Sequence, residues 1–276
     1  MKGSAKRFVV IAVATGVGLL ATSGLTAAPL VAPGGLVRWV GEGVESCGWK
    51  GQQWLPIEGS CWYPIDLLTP EGPLEIFRVI DGRREETTIS VAAYPYKVQR
   101  ITLEDDSQVN LSTEDLARVK QEQQRISALW GRQSARRFAL PLNPPLETLP
   151  AGGRFGDRRF FNDQPRSPHT GADYAADEGV PVLAVADGVV ALADDFFFSG
   201  RSVFLDHGDG LITMYFHFSD ILVEEGEEVR RGQVIGKVGQ TGRATGPHLH
   251  FGIRWRRARI DPALMLAPVD EVLAVP

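Results

Sequence analysis

The chain has 276 residues and a formal net charge of -5 at pH 7. Its 43% hydrophobic and 23% charged residues are ordinary for a globular protein, so the composition excludes disordered and collagen-like chains. The acidic balance argues against a nucleic-acid binder, because neutralising phosphates requires a basic surface.

Residues 1–30 have the pattern of an export signal. Lys2, Lys6 and Arg7 precede the apolar run FVVIAVATGVGLLA, which has the length of a signal-peptide core. We predict a cleaved signal peptide, and a retained inner-membrane anchor is the alternative. Either segment predicts an exported protein of the periplasm or cell envelope.

A small β module is predicted over residues 36–104, where short β-like runs alternate with Gly, Pro and Asp-Gly signals. Cys47 and Cys61 are the only two cysteines of the chain. In an exported protein such a pair is typical of a disulfide, worth on the order of 3 kcal/mol for a loop of about 15 residues. Two reduced, buried cysteines are the alternative.

Four of the six tryptophans surround these cysteines: Trp39, Trp49, Trp54 and Trp62. We interpret them as the core of the small module, packed beside the disulfide. An aromatic platform that stacks on sugars is the alternative.

One amphipathic helix is predicted within a helix-and-linker segment, residues 112–137. Ser112 supplies an N-cap, and Gly131 ends the pattern. The apolar residues between them recur at helical spacing: Leu116, Val119, Ile126, Leu129 and Trp130. The prolines that follow mark a domain boundary.

Residues 138–266 are predicted to form a compact domain of antiparallel β structure, barrel-like and punctuated by glycine. Asp209-Gly210, between two β-like runs, is the strongest hairpin signal of the chain. The whole protein is therefore expected to be mainly β.

All five histidines of the chain lie between positions 169 and 250. In a strand, His248 and His250 share one face while Leu249 enters the opposite, apolar layer. His169 and Asp173 lie four residues apart in a segment that Gly171 allows to curl. Imidazole and carboxylate ligands suit zinc, and three of them leave a position open for water.

The predicted hairpin strand carries a further histidine. Strand alternation predicts that Thr213, Tyr215 and His217 share a polar face that lines the cleft. A hydrolase also needs a base and an oxyanion donor, and the histidines left over by the metal are available for these roles. His207 precedes a Gly-Asp-Gly turn, so we assign it to the turn and not to the chemistry.

Several motifs between about Arg154 and Pro262 resemble the lysostaphin/LytM-type zinc endopeptidases. They are RFGDRR, HTGAD, ADGVV, DHGDG, YFHFS and GKVGQTGRATGPHLHFGIR. The resemblance implies that His169, Asp173 and His250 bind Zn²⁺. It further implies that His248 is the general base and that His217 stabilises the tetrahedral intermediate.

The resemblance implies an enzyme that hydrolyses the peptide cross-links of bacterial peptidoglycan, with stem peptides as its partner. No residue distinguishes diaminopimelate cross-links from glycine bridges. A non-catalytic peptidoglycan-binding or activator protein is the alternative, although no ligand is missing. The run VEEGEEVRRGQVIGKVG also resembles lipoyl or biotinyl carrier domains, but Lys237 lies inside a predicted strand and not at a hairpin tip.

Two further expectations follow from the resemblance. Tyr215 is expected to assist catalysis. The loop before His169 is expected to be an ordinary rim loop, and the alternative is a latent form in which Asn162, Asp163 or Gln164 takes the fourth zinc position.

Overall fold

The computed structural model describes residues 28–102, 107 and 109–275. Almost all of the predicted export signal, residues 1–30, lies outside the described residues. Within this described part, no helix combines the length and apolar character that crossing a membrane requires.

The described residues before the long helix form short strands in the module predicted to be β. These strands are β1 (Leu30–Val31), β2 (Leu36–Val40), β3 (Val44–Trp49), β4 (Gln52–Trp54), β5 (Ser60–Pro64), β6 (Gly72–Ile80), β7 (Arg83–Val91) and β8 (Val98–Ile101). One sheet has the order β1-β7-β6-β3-β4. Its longest hairpin joins β6 to β7 through Asp81 and Gly82, both at positive φ, as a two-residue hairpin turn requires.

A disulfide joins Cys47 in β3 to Cys61 in β5, as predicted. Trp39 and Trp62 are 4% and 3% exposed and belong to hydrophobic cores. Trp49 and Trp54 pack against the core that contains the disulfide. These contacts support the interpretation of the four tryptophans as core residues.

The predicted amphipathic helix is α1 (Thr113–Ser127), followed by a 3-10 turn, Ala128–Gly131. The Ser112 hydroxyl caps the helix by accepting a hydrogen bond from the Asp115 backbone N–H at 3.0 Å. Leu129 is buried in a cluster with Phe204 and Met214 of the large sheet described next. Ile126 and Trp130 pack against the same cluster, whereas Leu116 is 54% exposed, so only the C-terminal end of the predicted apolar stripe packs against the C-terminal part of the chain.

The remaining elements follow in chain order. They are β9 (Arg158–Phe161), β10 (Gln164–Pro165), β11 (Gly171–Ala175), β12 (Pro181–Leu183), β13 (Gly188–Phe196), β14 (Gly200–Asp206), β15 (Leu211–Ile221), β16 (Glu228–Val229), β17 (Val234–Val238), β18 (His248–Trp255), β19 (Ala258–Ile260), α2 (Pro262–Leu266), a 3-10 turn (Val269–Glu271) and β20 (Leu273–Val275).

Among the described residues, β11 to β19 form a nine-stranded sheet with the central order β11-β18-β15-β14-β13-β16. All its pairings are antiparallel, and β14 and β15 form the hairpin predicted from Asp209-Gly210. The sheet is antiparallel as predicted, and in the described part of the chain it does not close into a barrel.

The first and last parts of the described chain are packed together. Strand β20 pairs with β2 in parallel, and Val275 lies in the core of the N-terminal module. Arg259 pairs with Asp66 at 2.6 Å, and the Asp261 N–H donates to the Gly34 carbonyl. Because of these contacts, the N-terminal module holds one side of the large sheet. The division at 36–104, 112–137 and 138–266 stays a prediction.

Candidate metal centre

Three neighbouring strands, β11, β18 and β15, bring the candidate site residues together. Asp173 lies directly opposite His250 across β11 and β18, and Phe216 lies opposite His250 on the other side. Leu249 and Phe251 are buried in the core of the sheet. His248 and His250 therefore face away from that core, as strand alternation predicts.

His169, Asp173 and His250 form a compact cluster of potential metal ligands. The His250 Nδ1 atom lies 2.8 Å from the Asp173 Oδ1 atom and 2.9 Å from the His169 Nε2 atom. His169 Nε2 and Asp173 Oδ1 are 3.0 Å apart. His169 and His250 are 1% and 7% exposed, so the cluster lies almost entirely out of solvent.

Gly171 makes room for this cluster. A Cβ atom at this position would lie 2.6 Å from the Nε2 atom of His250 and 2.6 Å from the carbonyl oxygen of Phe251. Real Cβ atoms do not approach other atoms this closely, so any side chain here would displace the His250 ring or its strand. Position 171 therefore requires glycine, because β11 and the His250 ring of β18 approach each other too closely there for a side chain.

The protonation of these groups suits a cation. His169 Nδ1 lies 2.9 Å from the Arg154 carbonyl, which only accepts hydrogen bonds, so Nδ1 carries the proton and Nε2 turns a lone pair toward Asp173. Burial lowers the pKa of His169, and it lowers the pKa of His250 to about 4. Burial alone would raise the pKa of Asp173, but His169 and His250 hold it well below its usual range.

A divalent metal ion fits this donor set. Two imidazole nitrogens and one carboxylate oxygen converge at 2.8–3.0 Å, and with both nitrogens unprotonated their lone pairs would be stabilised by a cation between them. Ligands about 2.0–2.2 Å from a tetrahedral ion lie roughly 3.3–3.6 Å apart, about 0.3–0.8 Å more than these separations. The carbonyl that holds His169 is the kind of outer partner that orients metal-binding histidines.

His248 and His217 lie beside the cluster and beside each other. The His248 Nε2 atom is 3.8 Å from the Asp173 Oδ1 atom, and the His217 and His248 ring centroids are 4.7 Å apart. Both Nδ1 atoms lie 2.8 Å from a backbone carbonyl, that of Thr241 for His217 and that of Gly246 for His248. Each ring is therefore fixed through Nδ1.

His217 reaches this position through a β-bulge, which corrects the prediction from simple alternation. Phe216 and His217 together lie opposite the single residue Ser202, and His217 has a φ of 68°. Both side chains line the same cleft. Tyr215 instead packs in the core of the sheet, so the prediction that it shares a face with His217 is wrong.

The structure places Tyr215 in a buried polar network and not at the cleft. Its side chain is 0% exposed, and its hydroxyl contacts the Thr213 hydroxyl at 3.1 Å and the Val185 N–H at 3.2 Å. Thr213 in turn contacts His207 Nε2, while His207 Nδ1 donates to the Asp187 carbonyl. His207 is thus held inside the fold near the hairpin.

The loop before His169 does not join the ligand cluster. Asp163 pairs with Arg100 at 2.7 Å and its side chain is 85% exposed. Gln164 contacts Asn110 and Arg166. Asn162 is not among the residues that line the cleft next to the ligand cluster.

Two clefts meet at the cluster. A cleft of about 530 Å³ reaches His169, His217 and His250, with α1 on its rim. A second, of about 390 Å³, reaches Asp173 and His248 from the other side. The candidate centre therefore lies between two clefts, each of which reaches part of the ligand cluster.

Sequence reasoning missed three residues around the centre. Arg159 Nη2 lies 3.4 Å from Asp173 Oδ2, and the Phe216 ring stacks on His250 at 5.0 Å. Arg243 lines the larger cleft. Arg159 lies in the RFGDRR motif and Arg243 in the TGRATG segment. Their place in these motifs is the sequence signal from which their position near the centre could have been predicted.

Comparisons with known proteins match the part of the chain that carries this cluster. Residues 167–262 match the model of Peptidase family M23. Peptidoglycan DD-endopeptidase ShyA of Vibrio cholerae is 47% identical over 110 residues, which are 40% of this chain and 25% of that protein. DD-carboxypeptidase/endopeptidase Mpg of Neisseria meningitidis serogroup B is 44% identical over 104 residues, 38% of this chain and 24% of that protein.

A solved structure covers much more of the chain. The crystal structure of a putative peptidase M23 from Pseudomonas aeruginosa has a TM-score of 0.64 and 33% identity, covering 85% of this chain and 94% of that one. The protein therefore belongs to peptidase family M23. The chain spans about a quarter of the length of the two curated relatives.

Proposed function

We propose that the protein is a zinc-dependent endopeptidase that hydrolyses the peptide cross-links of bacterial peptidoglycan. The observation that carries this proposal is the convergence of His169 Nε2, Asp173 Oδ1 and His250 Nδ1, all within 4.8 Å of one another, between two clefts. Family membership and the names of the two curated relatives support the same reaction.

In this proposal His169, Asp173 and His250 hold Zn²⁺. Zinc held by three such ligands supplies Lewis-acid activation of water and of a substrate carbonyl. Arg159, 3.4 Å from Asp173, orients the carboxylate and shares its charge. Phe216 fixes the plane of the His250 ring by stacking on it.

His248 is proposed to be the general base. Its Nδ1 proton is held by the Gly246 carbonyl, which leaves the Nε2 lone pair on the side of Asp173. Nε2 accepts the proton of the attacking water and delivers it to the leaving amine.

His217 is proposed to stabilise the tetrahedral intermediate. This role requires a proton on Nε2, because Nδ1 already donates to the Thr241 carbonyl. Burial, and then His250, lower the pKa of His217 to about 3 in the resting site. We therefore expect His217 to take its second proton from solvent in the cleft, and only when negative charge develops beside it.

The proposed place of action is the cell envelope. The disulfide between Cys47 and Cys61 fits an oxidising compartment. The N-terminal segment, read as a signal peptide or a membrane anchor, agrees with export. Peptidoglycan stem peptides are the proposed substrate.

Digestion of defined, cross-linked muropeptides tests the proposal. The protein should cleave them, lose activity with a chelator and regain it with zinc. His169→Ala should lose bound zinc, since one of three ligands is removed. His248→Ala should keep the metal and lose turnover.

Binding of muropeptides without cleavage, with metal present, would instead support a non-catalytic peptidoglycan-binding or activator protein. A His248→Ala protein that retains full turnover would refute the base assignment. A His169→Ala protein with unchanged zinc content would refute the ligand assignment.

A further inference from the structure

A separate cleft of about 370 Å³ lies at the end of the large sheet that is remote from His248. Three parts of the chain line it: the edge strand β4 of the N-terminal module, the 3-10 turn after α1, and the turns that follow β14 and β18. Ligand sites occur preferentially where modules of a protein meet. None of the residues that line this cleft takes part in the proposed reaction.

Two half-buried tryptophans bring aromatic rings to this cleft. Trp54 packs on the disulfide core with part of its side chain and lines the cleft with the rest. Its Nε1 atom is buried, so the part of the side chain that reaches the cleft is apolar carbon. Trp130 packs on the cluster that contains Phe204 and also lines the cleft. Apolar ring surface of this kind stacks on the C–H faces of sugars.

Guanidinium groups hold both rings in place. The Arg256 guanidinium carbon lies 4.6 Å from the Trp54 ring centroid, and that of Arg254 lies 4.1 Å from the Trp130 ring centroid. Arg256 is itself fixed by an ion pair with Asp209 at 2.7 Å. Rings that are held in this way lose little conformational entropy when a ligand stacks on them.

Polar side chains without partners surround the two rings. Within the described part of the chain, four exposed residues of the lining make no side-chain hydrogen bond or ion pair: Gln52, Arg132, Gln133 and Arg257. Their amide and guanidinium groups donate hydrogen bonds, and the amides also accept them, as the hydroxyl and acetamido groups of sugars require. Three glutamines line the cleft against two arginines that lack an acidic partner there, which favours an uncharged polar ligand over a polyanion.

The position of the cleft relates it to the candidate metal centre. Strand β18 begins with His248 at that centre and ends with Trp255, and Arg256 and Arg257 of the cleft follow directly. At about 3.3 Å per residue, the two sites lie roughly 20 Å apart along one strand. A polymer that carries both peptide and sugar can therefore occupy both sites on the same sheet.

We propose that this cleft binds a glycan strand of N-acetylated amino sugars. Trp54 and Trp130 stack on the sugar rings, and Gln52, Arg132 and Gln133 hydrogen-bond to the hydroxyl and acetamido groups. The choice of this glycan rests on the proposed function, because such strands carry the stem peptides of peptidoglycan. Binding at the cleft raises the effective concentration of a stem peptide at the candidate metal centre.

Calorimetric titration with peptide-free peptidoglycan glycan strands tests the site without turnover. The full-length protein should bind them equally well with and without its metal. Gln133→Ala should weaken binding about 2- to 10-fold, the range for one lost hydrogen bond, and Gln52→Ala combined with Gln133→Ala should weaken it further. Gln121→Ala is the matched control, because Gln121 is an exposed glutamine of α1 that lines neither this cleft nor the two at the metal centre. It should bind as the wild type does.

Trp130→Leu removes one ring and keeps an apolar side chain for packing. It should lose most of the glycan binding, and its melting temperature shows whether the fold is intact. The glutamine variants change only exposed side chains, so they test the site even if Trp130→Leu does not fold.

Digestion of two substrates shows whether the cleft serves the reaction: intact sacculi, and cross-linked peptide dimers that carry no sugar. The double glutamine variant should digest sacculi on the order of 10-fold more slowly than the wild type, because the effective concentration that the second site supplies is lost. It should cleave the sugar-free dimers at the wild-type rate.

Wild-type protein that does not bind the glycan strands would overturn the site, and so would equal affinity in the wild type and the double variant. Binding that salt abolishes and that polyphosphate reproduces would overturn the glycan assignment in favour of an anionic polymer. Glycan binding without cleavage of either substrate would overturn the proposed function and support this site. Cleavage of both substrates without glycan binding would do the reverse.

Discussion

The substitution Gly171→Ala tests whether the close approach of β11 to β18 builds the metal centre. The added Cβ would lie 2.6 Å from both the His250 Nε2 atom and the Phe251 carbonyl oxygen. Ordinary contact begins at 3.4 Å, so each of the two separations must grow by about 0.8 Å. Phe251 is 0% exposed in the core of the sheet, so the His250 ring and the backbone of β11 at residue 171 are the groups expected to move.

A displaced His250 ring no longer matches Asp173 and His169, which lie only 2.8 and 2.9 Å from its Nδ1 atom. We expect zinc affinity to fall roughly 10- to 100-fold, the range for disturbed support of a metal ligand. Turnover should fall by on the order of 100-fold, as for a catalytic group misplaced by about 1 Å. Overpacking should cost about 1–3 kcal/mol of unfolding free energy.

Zinc competition against a chromophoric chelator measures the affinity, and thermal unfolding of the same samples measures the stability. Gly131→Ala is the control, because a Cβ at Gly131 meets nothing within 4 Å and its φ is not positive. A Gly171→Ala protein with zinc affinity within about twofold of the wild type would refute the reasoning.

Two further predictions concern the buried network behind the site. Tyr215→Phe should keep turnover within about twofold and lower the free energy of unfolding by roughly 1–3 kcal/mol, because the Val185 N–H loses its acceptor. Unfolding in urea measures this loss, and a large loss of turnover in a variant of unchanged stability would contradict the prediction. Burial lowers the pKa of His207 to about 4 from 6.5, so below pH 6.5 the unfolded chain binds a proton that the folded protein excludes. The free energy of unfolding should therefore fall between pH 6.5 and pH 4, by at most about 3 kcal/mol from this group. The melting temperature of His207→Gln should depend less on pH than that of the wild type, and an equal dependence would contradict the burial of a neutral His207.

Local features of the sequence were sufficient for several elements. Ser112 and the apolar spacing after it predicted α1, and Asp209-Gly210 predicted the hairpin of β14 and β15. Alternation in β18 predicted that His248 and His250 share a face. Each depends on residues close together in the chain, where propensity and periodicity act directly.

Long-range pairing was not predictable in the same way. Asp173 meets His250 because β11 pairs with β18, more than 70 residues later in the chain, in one particular register. Likewise, β20 returns to pair with β2 near the other end of the described chain. A single sequence carries no periodic signal for such pairings, because the register depends on packing across the whole sheet. The stacking of Arg243 on Phe161 and Phe198, which are distant from it in the chain, is another product of this packing.

The bulge at His217 was hidden for a different reason. A bulge inserts one residue without altering the composition of the strand, and here a histidine, not a glycine, takes the φ of 68°. That conformation costs an L-residue roughly 1–2 kcal/mol. Hydrogen bonds from the His217 N–H to the Ser199 carbonyl and from Nδ1 to the Thr241 carbonyl, at 3.0 and 2.8 Å, offset this cost.

The bulge also explains how one strand serves two parts of the site. In a regular strand, consecutive side chains point to opposite faces, so Phe216 and His217 would not both reach the cleft. With the bulge, the Phe216 ring stacks on the His250 ring with an angle of only 5° between their planes. The His217 ring centroid then lies 4.7 Å from that of His248. The strand thus fixes a proposed zinc ligand and supplies a proposed catalytic histidine through neighbouring residues. The backbone strain at His217 is therefore inseparable from the assembly of the site.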